Sequence, residues 1–125
     1  MAYNFLLVDD SKVVRKALRK TLSMTDLEVG ELHEAENGLQ AFEVLRSTWV
    51  DVIFLDINMP VMNGMEFMEQ LRLDEELKET PVIVVSTEGS KERRERLDEL
   101  RVRVYLRKPV SPEAIVESVT DVLKG

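Results

Sequence analysis

The chain has 125 residues, 44% of them hydrophobic and 33% charged, an ordinary balance for a water-soluble globular domain with a real core. A formal net charge of −7 excludes a generic nucleic-acid or anionic-membrane surface, and the absence of cysteine excludes disulfides and thiolate metal sites. No apolar run approaches the roughly 20 residues of a membrane span, and Met1-Ala2-Tyr3-Asn4 opens no basic-then-apolar leader.

Strand and helix patterns then alternate five times. A first strand is expected over Phe5 to Val8, followed by Asp9-Asp10. A helix begins near Ser11, with apolar pairs at Val13/Val14, Ala17/Leu18 and Thr21/Leu22. The second strand has the weakest pattern, within Glu28 to Ala35, and places the single histidine, His33, as a surface or half-buried residue. Asn37 reads as the cap of a second helix carrying Leu39, Ala41, Phe42, Val44 and Leu45. Trp49 is expected to cover an edge of the sheet.

Val52 to Leu55 is the third strand, and Asp56 follows it directly. The loop from Asp56 to Asn63 carries Pro60, and a third helix starts at Asn63-Gly64. Met59, Met62, Met65 and Met68 recur at a spacing that suits core filling. Pro81 opens the fourth strand, whose apolar run Val82 to Val85 ends in Ser86-Thr87. The fourth helix covers about Ser90 to Leu100, with Lys91 to Arg96 as a solvated face. The fifth strand runs from Arg103 to Leu106 and leads into Lys108-Pro109. Ser111 caps the last helix, Pro112 takes its first position, and Ile115, Val116, Val119, Val122 and Leu123 form its buried stripe. The first, third and fourth strands are continuously apolar, as parallel strands covered on both faces are. The fold class is therefore α/β, a three-layer α/β/α sandwich in one domain over residues 1–125.

Parallel strands would gather Asp9-Asp10, Asp56, Ser86-Thr87 and Lys108 at the carboxyl edge of one sheet, where open α/β sheets bind ligands. Each has a plainer explanation taken singly: a helix cap, a turn residue, loop hydroxyls, a solvated lysine. Together they supply three carboxylates, a hydroxyl and an amine to one pocket. With carboxylates about 4–5 Å apart and an effective dielectric near 20, each pair repels by roughly 4 kcal/mol, more than one lysine offsets. Raised, coupled pKa values or a bound dication must relieve the rest, and magnesium, which favours carboxylate, water and phosphate oxygens, is expected. Asp56 is then the nucleophile that attacks phosphorus and becomes an acyl phosphate. Lys108, and the Ser86 hydroxyl or nearby amides, meet phosphoryl oxygens.

The same residues resemble the response-regulator receiver domain of two-component signalling. The resemblance rests on Leu7-Val8-Asp9-Asp10-Ser11, on Leu55-Asp56-Ile57-Asn58-Met59-Pro60 running into Met62-Asn63-Gly64, on Val85-Ser86-Thr87, and on Tyr105-Leu106-Arg107-Lys108-Pro109. It covers essentially the whole chain, and the spacing is similar to stand-alone chemotaxis-type regulators. It implies a flavodoxin-like (βα)5 fold with strand order 2-1-3-4-5. It further implies phosphotransfer to Asp56 from a sensor histidine kinase, a phosphotransfer protein or acetyl phosphate. Magnesium, for which manganese could substitute, would be held by Asp10, Asp56 and the Asn58 carbonyl, with Asp9 acting mostly through water. Ser86 and Tyr105 match paired switch positions, Thr87 accompanies Ser86, and the Lys108-Pro109 bond is expected to be cis. Asn58 and Glu88 fall where the family tunes attack by water. The implied protein is cytoplasmic, a monomer or weak dimer, and signals to an output protein through its fourth helix, fifth strand and fifth helix without contacting nucleic acid or membrane.

Two departures stand out. Where the family often has a small-glycine-small turn after the fourth helix, this chain reads Leu100-Arg101-Val102, and Val110 stands where phenylalanine is common. Three rival functions are less well served. An aspartyl-phosphate phosphohydrolase would want an aspartate where Asn58 stands, plus a substrate cap. A flavin- or nucleotide-binding domain would want a glycine- or hydroxyl-rich loop in place of Asp9-Asp10. A degenerate interaction module would not need an intact site.

Overall fold

The computed structural model describes residues 2–87 and 91–124. Ten elements alternate along it: β1 (Tyr3–Val8), α1 (Lys12–Ser23), β2 (Val29–Ala35), α2 (Gly38–Ser47), β3 (Val52–Leu55), α3 (Gly64–Leu73), β4 (Val82–Ser86), α4 (Lys91–Glu99), β5 (Val104–Arg107) and α5 (Pro112–Lys124). The strands form one parallel sheet in the order β2-β1-β3-β4-β5, as expected.

Alternation of side chains along the strands sorts the core into two layers. Leu6, Val8, Ile53, Leu55, Val82 and Val84 face α2, α3 and α4, meeting Ala41, Phe67, Met68 and Leu97. Phe5, Leu7, Val52, Phe54, Ile83 and Val85 face α1 and α5, meeting Leu18, Leu22, Ile115 and Val119. That is why the central strands read as unbroken apolar runs. Met59, Met62 and Met68 are buried in the first layer and Met65 packs against it, so the methionine spacing does fill core.

Side-chain caps start the helices where hydroxyl and amide residues stand. Ser11, Asn37 and Ser111 accept from Val14, Gln40 and Ala114. Asn63 and Glu66 form a reciprocal capping box at α3. At the other end of α4, Arg101 adopts φ 66° and closes the helix with bonds from its own N–H to Asp98 and from Val102 N–H to Leu97. This pair is the Schellman pattern, in which the left-handed residue is usually glycine. Arginine there costs about 1 kcal/mol relative to glycine. Val61, beside the site loop, also has a positive φ of 67° and is exposed.

Two expectations fail. Val13 is 77% exposed and Ala17 is exposed, because the inward face of α1 is Val14, Arg15, Leu18 and Leu22. The apolar pairs straddled that face instead of lying on it. Trp49 does not cover the sheet edge. It is 73% exposed in the turn before β3, where its indole N–H donates to Asp51 at 2.9 Å. His33 is half-buried, as expected, beside Glu31 at 2.8 Å.

Gly64 permits a close approach that matters for the site. A Cβ there would lie 2.6 Å from the Asp56 carbonyl oxygen and 2.7 Å from Ile57 Cα, both backbone atoms that cannot rotate away. Gly64→Ala should therefore lower stability by about 1–3 kcal/mol in urea denaturation, as overpacking does, and shift the Asp56 amide resonance.

Candidate phosphoacceptor site

Register places the acids. Val8 pairs with Leu55 at the end of the β1–β3 ladder, so Asp9 and Asp56 are the next residues out on neighbouring strands. The Asp56 N–H donates to the Val8 carbonyl at 2.9 Å and the Asp9 N–H to Ala35 at 3.0 Å, which extends the sheet to both. Asp9 and Asp56 are buried and Asp10 is exposed, yet one oxygen of each of the three lies within 4.8 Å of the others. From β5, Lys108 reaches in. Its Nζ is 2.7 Å from Asp9 Oδ2 and 3.6 Å from Asp56 Oδ1, and its own N–H donates to the Ser86 carbonyl at 3.1 Å. Ser86 is buried at the end of β4 and Thr87 is exposed beside it. The Lys108–Pro109 peptide is cis. Asn58 is exposed in the loop after Asp56, to which its backbone N–H donates. Glu88 lies outside the described residues.

Asp9 does not cap α1, since Ser11 does; its Oδ1 instead accepts the Ser11 N–H at 2.8 Å while Oδ2 meets Lys108. Asp56 is the strained member. Burial pushes its carboxyl above the usual range and the Asp9 charge adds to that, against Lys108 and the Asn58 N–H. Three hard oxygen donors with too little positive charge among them suit a divalent cation, so these residues fit the metal that the sequence reading anticipates.

Tyr105 sits away from this cleft. It pairs with Val84 on the face that also carries Ser86, but its hydroxyl reaches towards α4. There it lies against the Asp98 carboxylate, 3.1 Å from the Val102 carbonyl and 3.3 Å from that of Arg94. The Arg94 guanidinium stands 4.4 Å from the ring centre.

Arg15 belongs to the site architecture and escaped the sequence reading. Buried on α1, it donates to the Asp9 carbonyl and to Glu34 at 2.8 Å, and so fixes the loop that presents the acidic pair. Its only signal was a charge at a position that helical spacing assigns to the core.

Comparison with known proteins decides the family. Residues 5–120 match the family model described as the response regulator receiver domain. The chain belongs to that family. The chemotaxis protein CheY homolog of Campylobacter jejuni is 36% identical over 119 residues, covering 94% of this chain and 90% of its own. Among solved structures, the Vibrio cholerae chemotaxis protein CheY4 superposes with a TM-score of 0.85 at 31% identity, covering 98% of this chain and 99% of its own. The Mn(2+)-bound form of response regulator Rcp1 gives a TM-score of 0.76 at 26% identity, covering 98% and 90%. As a CheY-like receiver of two-component signalling, the protein is a signalling domain and not a classical enzyme. Phosphorylation, a divalent metal, histidine kinases and output proteins are general features of receivers. Among the described residues, no helix is long and apolar enough to cross a membrane.

The Glu34 pairing carries a pH signature. Burial raises its carboxyl, but hydrogen bonds from Arg19 and Arg15 outweigh that, and the net shift is downward from 4.5. Its stabilisation is thus complete above the unfolded value and disappears as pH falls through the lower folded one. Wild-type protein should be more stable than Glu34→Gln at pH 7, with the difference shrinking below about pH 4 in urea denaturation series.

Proposed function

We propose that the receiver, spanning residues 1–125, takes a phosphoryl group on Asp56 and uses it to change its α4–β5–α5 surface. The observation that carries this reading is the meeting of Asp9, Asp10 and Asp56 within 4.8 Å, with the Lys108 ammonium 3.6 Å from Asp56. An Asp56 oxygen attacks phosphorus in line. The new O–P bond forms as the P–N bond of a donor phosphohistidine breaks, and the imidazole keeps that electron pair. Small donors such as acetyl phosphate react likewise. Asp10, Asp56 and the Asn58 carbonyl, with Asp9 through water, would hold magnesium or manganese, which would supply positive charge to the phosphoryl oxygens. Lys108 then exchanges part of its pairing with Asp9 for a phosphoryl oxygen, and the Ser86 and Thr87 end of β4 supplies hydroxyl and amide donors.

The added charge, about −1.5 to −2, draws Ser86 towards the phosphoryl group and leaves room for the Tyr105 ring to turn inward. On this reading the protein is a cytoplasmic regulator, monomeric or weakly dimeric. Its phosphodonor is a sensor histidine kinase or phosphotransfer protein, and its output protein binds that surface. Hydrolysis is slow and intrinsic: water attacks phosphorus and releases phosphate from Asp56, at a rate tuned by Asn58 and Glu88.

Incubation with acetyl phosphate and magnesium, read by intact mass, should give one phosphoryl adduct that Asp56→Asn or a chelator abolishes. No adduct from any donor would refute the reading. Lys108→Ala should still take up phosphate. In that variant, the phosphorylation-dependent NMR shifts of Tyr105 and α4 should be lost.

A further inference from the structure

A concavity lies at the opposite end of the sheet from Asp56. About 550 Å³ in volume, it opens below the start of β4, between the C-terminal ends of α4 and α5. Its size is that of a small-molecule site. Arg72, Lys78, Arg101 and Arg103 line it, against two carboxylates, Glu79 and Asp98. Four cations converging on one cavity is unexpected in a chain of net charge −7.

Lys78 is paired with Glu75 at 3.1 Å, so the positive charge left to the cavity rests on its arginines. Arg72 donates from Nε to the Leu100 carbonyl at 2.7 Å and from Nη1 to those of Lys78 and Thr80 at 2.9 and 2.8 Å, which pins the guanidinium in place. Among the described residues, the Arg101 side chain makes a single bond, from Nη2 to the Lys78 carbonyl at 3.1 Å. Among the described residues, Arg103 has no acidic partner at all. Asp98 is already engaged by the Tyr105 hydroxyl, so it neutralises less than its charge suggests. Burial first, and then the Arg101 charge, lower the Arg72 pKa to about 10, against the opposing charge of Glu79. Helix capping alone does not require this arrangement. At Arg101 the backbone favours glycine, and the positive φ of 66° makes an arginine there the conformationally costly choice. The opposite wall is apolar, formed by Pro81, Val82, Val122 and Leu123.

From this geometry we infer a binding site for a small phosphomonoester with an apolar body, its dianion held by Arg101 and Arg103 beside the fixed Arg72 and its body against Val122 and Leu123. Planar guanidinium groups match phosphate oxygens, and the limited span of the cavity suits a small ligand over a polyanion.

The full chain, isotope-labelled and in EDTA, should be titrated with phenyl phosphate and followed by NMR. Saturable shifts are expected at Thr80, Val102 and Arg103, with inorganic phosphate binding more weakly and phenol not saturating. Arg101→Gly, which keeps the helix ending in the residue that ending prefers, should weaken phenyl phosphate about tenfold, as should Arg103→Gln. Shifts confined to Asp10, Asp56 and Lys108 would overturn the proposal. So would affinities in both variants unchanged from that of the wild type, or inorganic phosphate binding as tightly as the ester.

Discussion

Mutual repulsion among Asp9, Asp10 and Asp56 is the constraint on which the molecule turns. Left to themselves, carboxylates this close would move apart. The sheet prevents it, because Asp9 and Asp56 extend two hydrogen-bonded strands whose preceding residues are completely buried. The apolar ladder of Phe5 to Val8 against Val52 to Leu55 thus holds an electrostatic conflict in place. Lys108 relieves part of it, closer to Asp9 than to Asp56. The carboxyl of Asp56 is left above its ordinary range, ready to be stabilised by added positive charge.

Two arginines secure the opposite ends of this arrangement. Arg15 ties the β1–α1 loop to β2 through the Asp9 carbonyl and Glu34. Arg72 gathers three carbonyls from the segments before β4 and β5. Both donate to backbone carbonyls that lie at least partly buried. The acidic cleft and the basic cavity are therefore each built on a guanidinium that is fixed, with less constrained charges arranged around it.

Much of this was legible in the sequence because its signals were redundant. Continuous apolar runs, capping residues at Asn37 and Ser111, and polar strand ends all specify the same alternation, and the strand order followed from the family resemblance. The convergence of Asp9, Asp10, Asp56 and Lys108 followed from parallel pairing alone. What escaped was of another kind. Whether Val13 or Arg15 faces inward depends on the rotation of α1 about its axis, and neighbouring apolar pairs do not fix that within one residue. Trp49 is expected over an edge of the sheet, but it stands exposed in the loop between α2 and β3, where its indole bonds to Asp51. The cavity below β4 joins residues from two connections and the helices beside them, and no local pattern announces such a meeting.

The resting place of Tyr105 sets a threshold on any signal. A hydroxyl donating to a carboxylate is worth about 1.5–3 kcal/mol. The Arg94 contact with the ring adds about 0.5–1 kcal/mol at an exposed site. An inward rotation forfeits both, a loss comparable to the whole coupling energy typical of allosteric proteins, about 1–3 kcal/mol. If Tyr105 switches as proposed, Asp98 and Arg94, neither of them near the acidic cleft, would set how quiet the output face stays without stimulus. Sensitivity and background can be adjusted from α4 while the chemistry at the far end of the strands is left untouched.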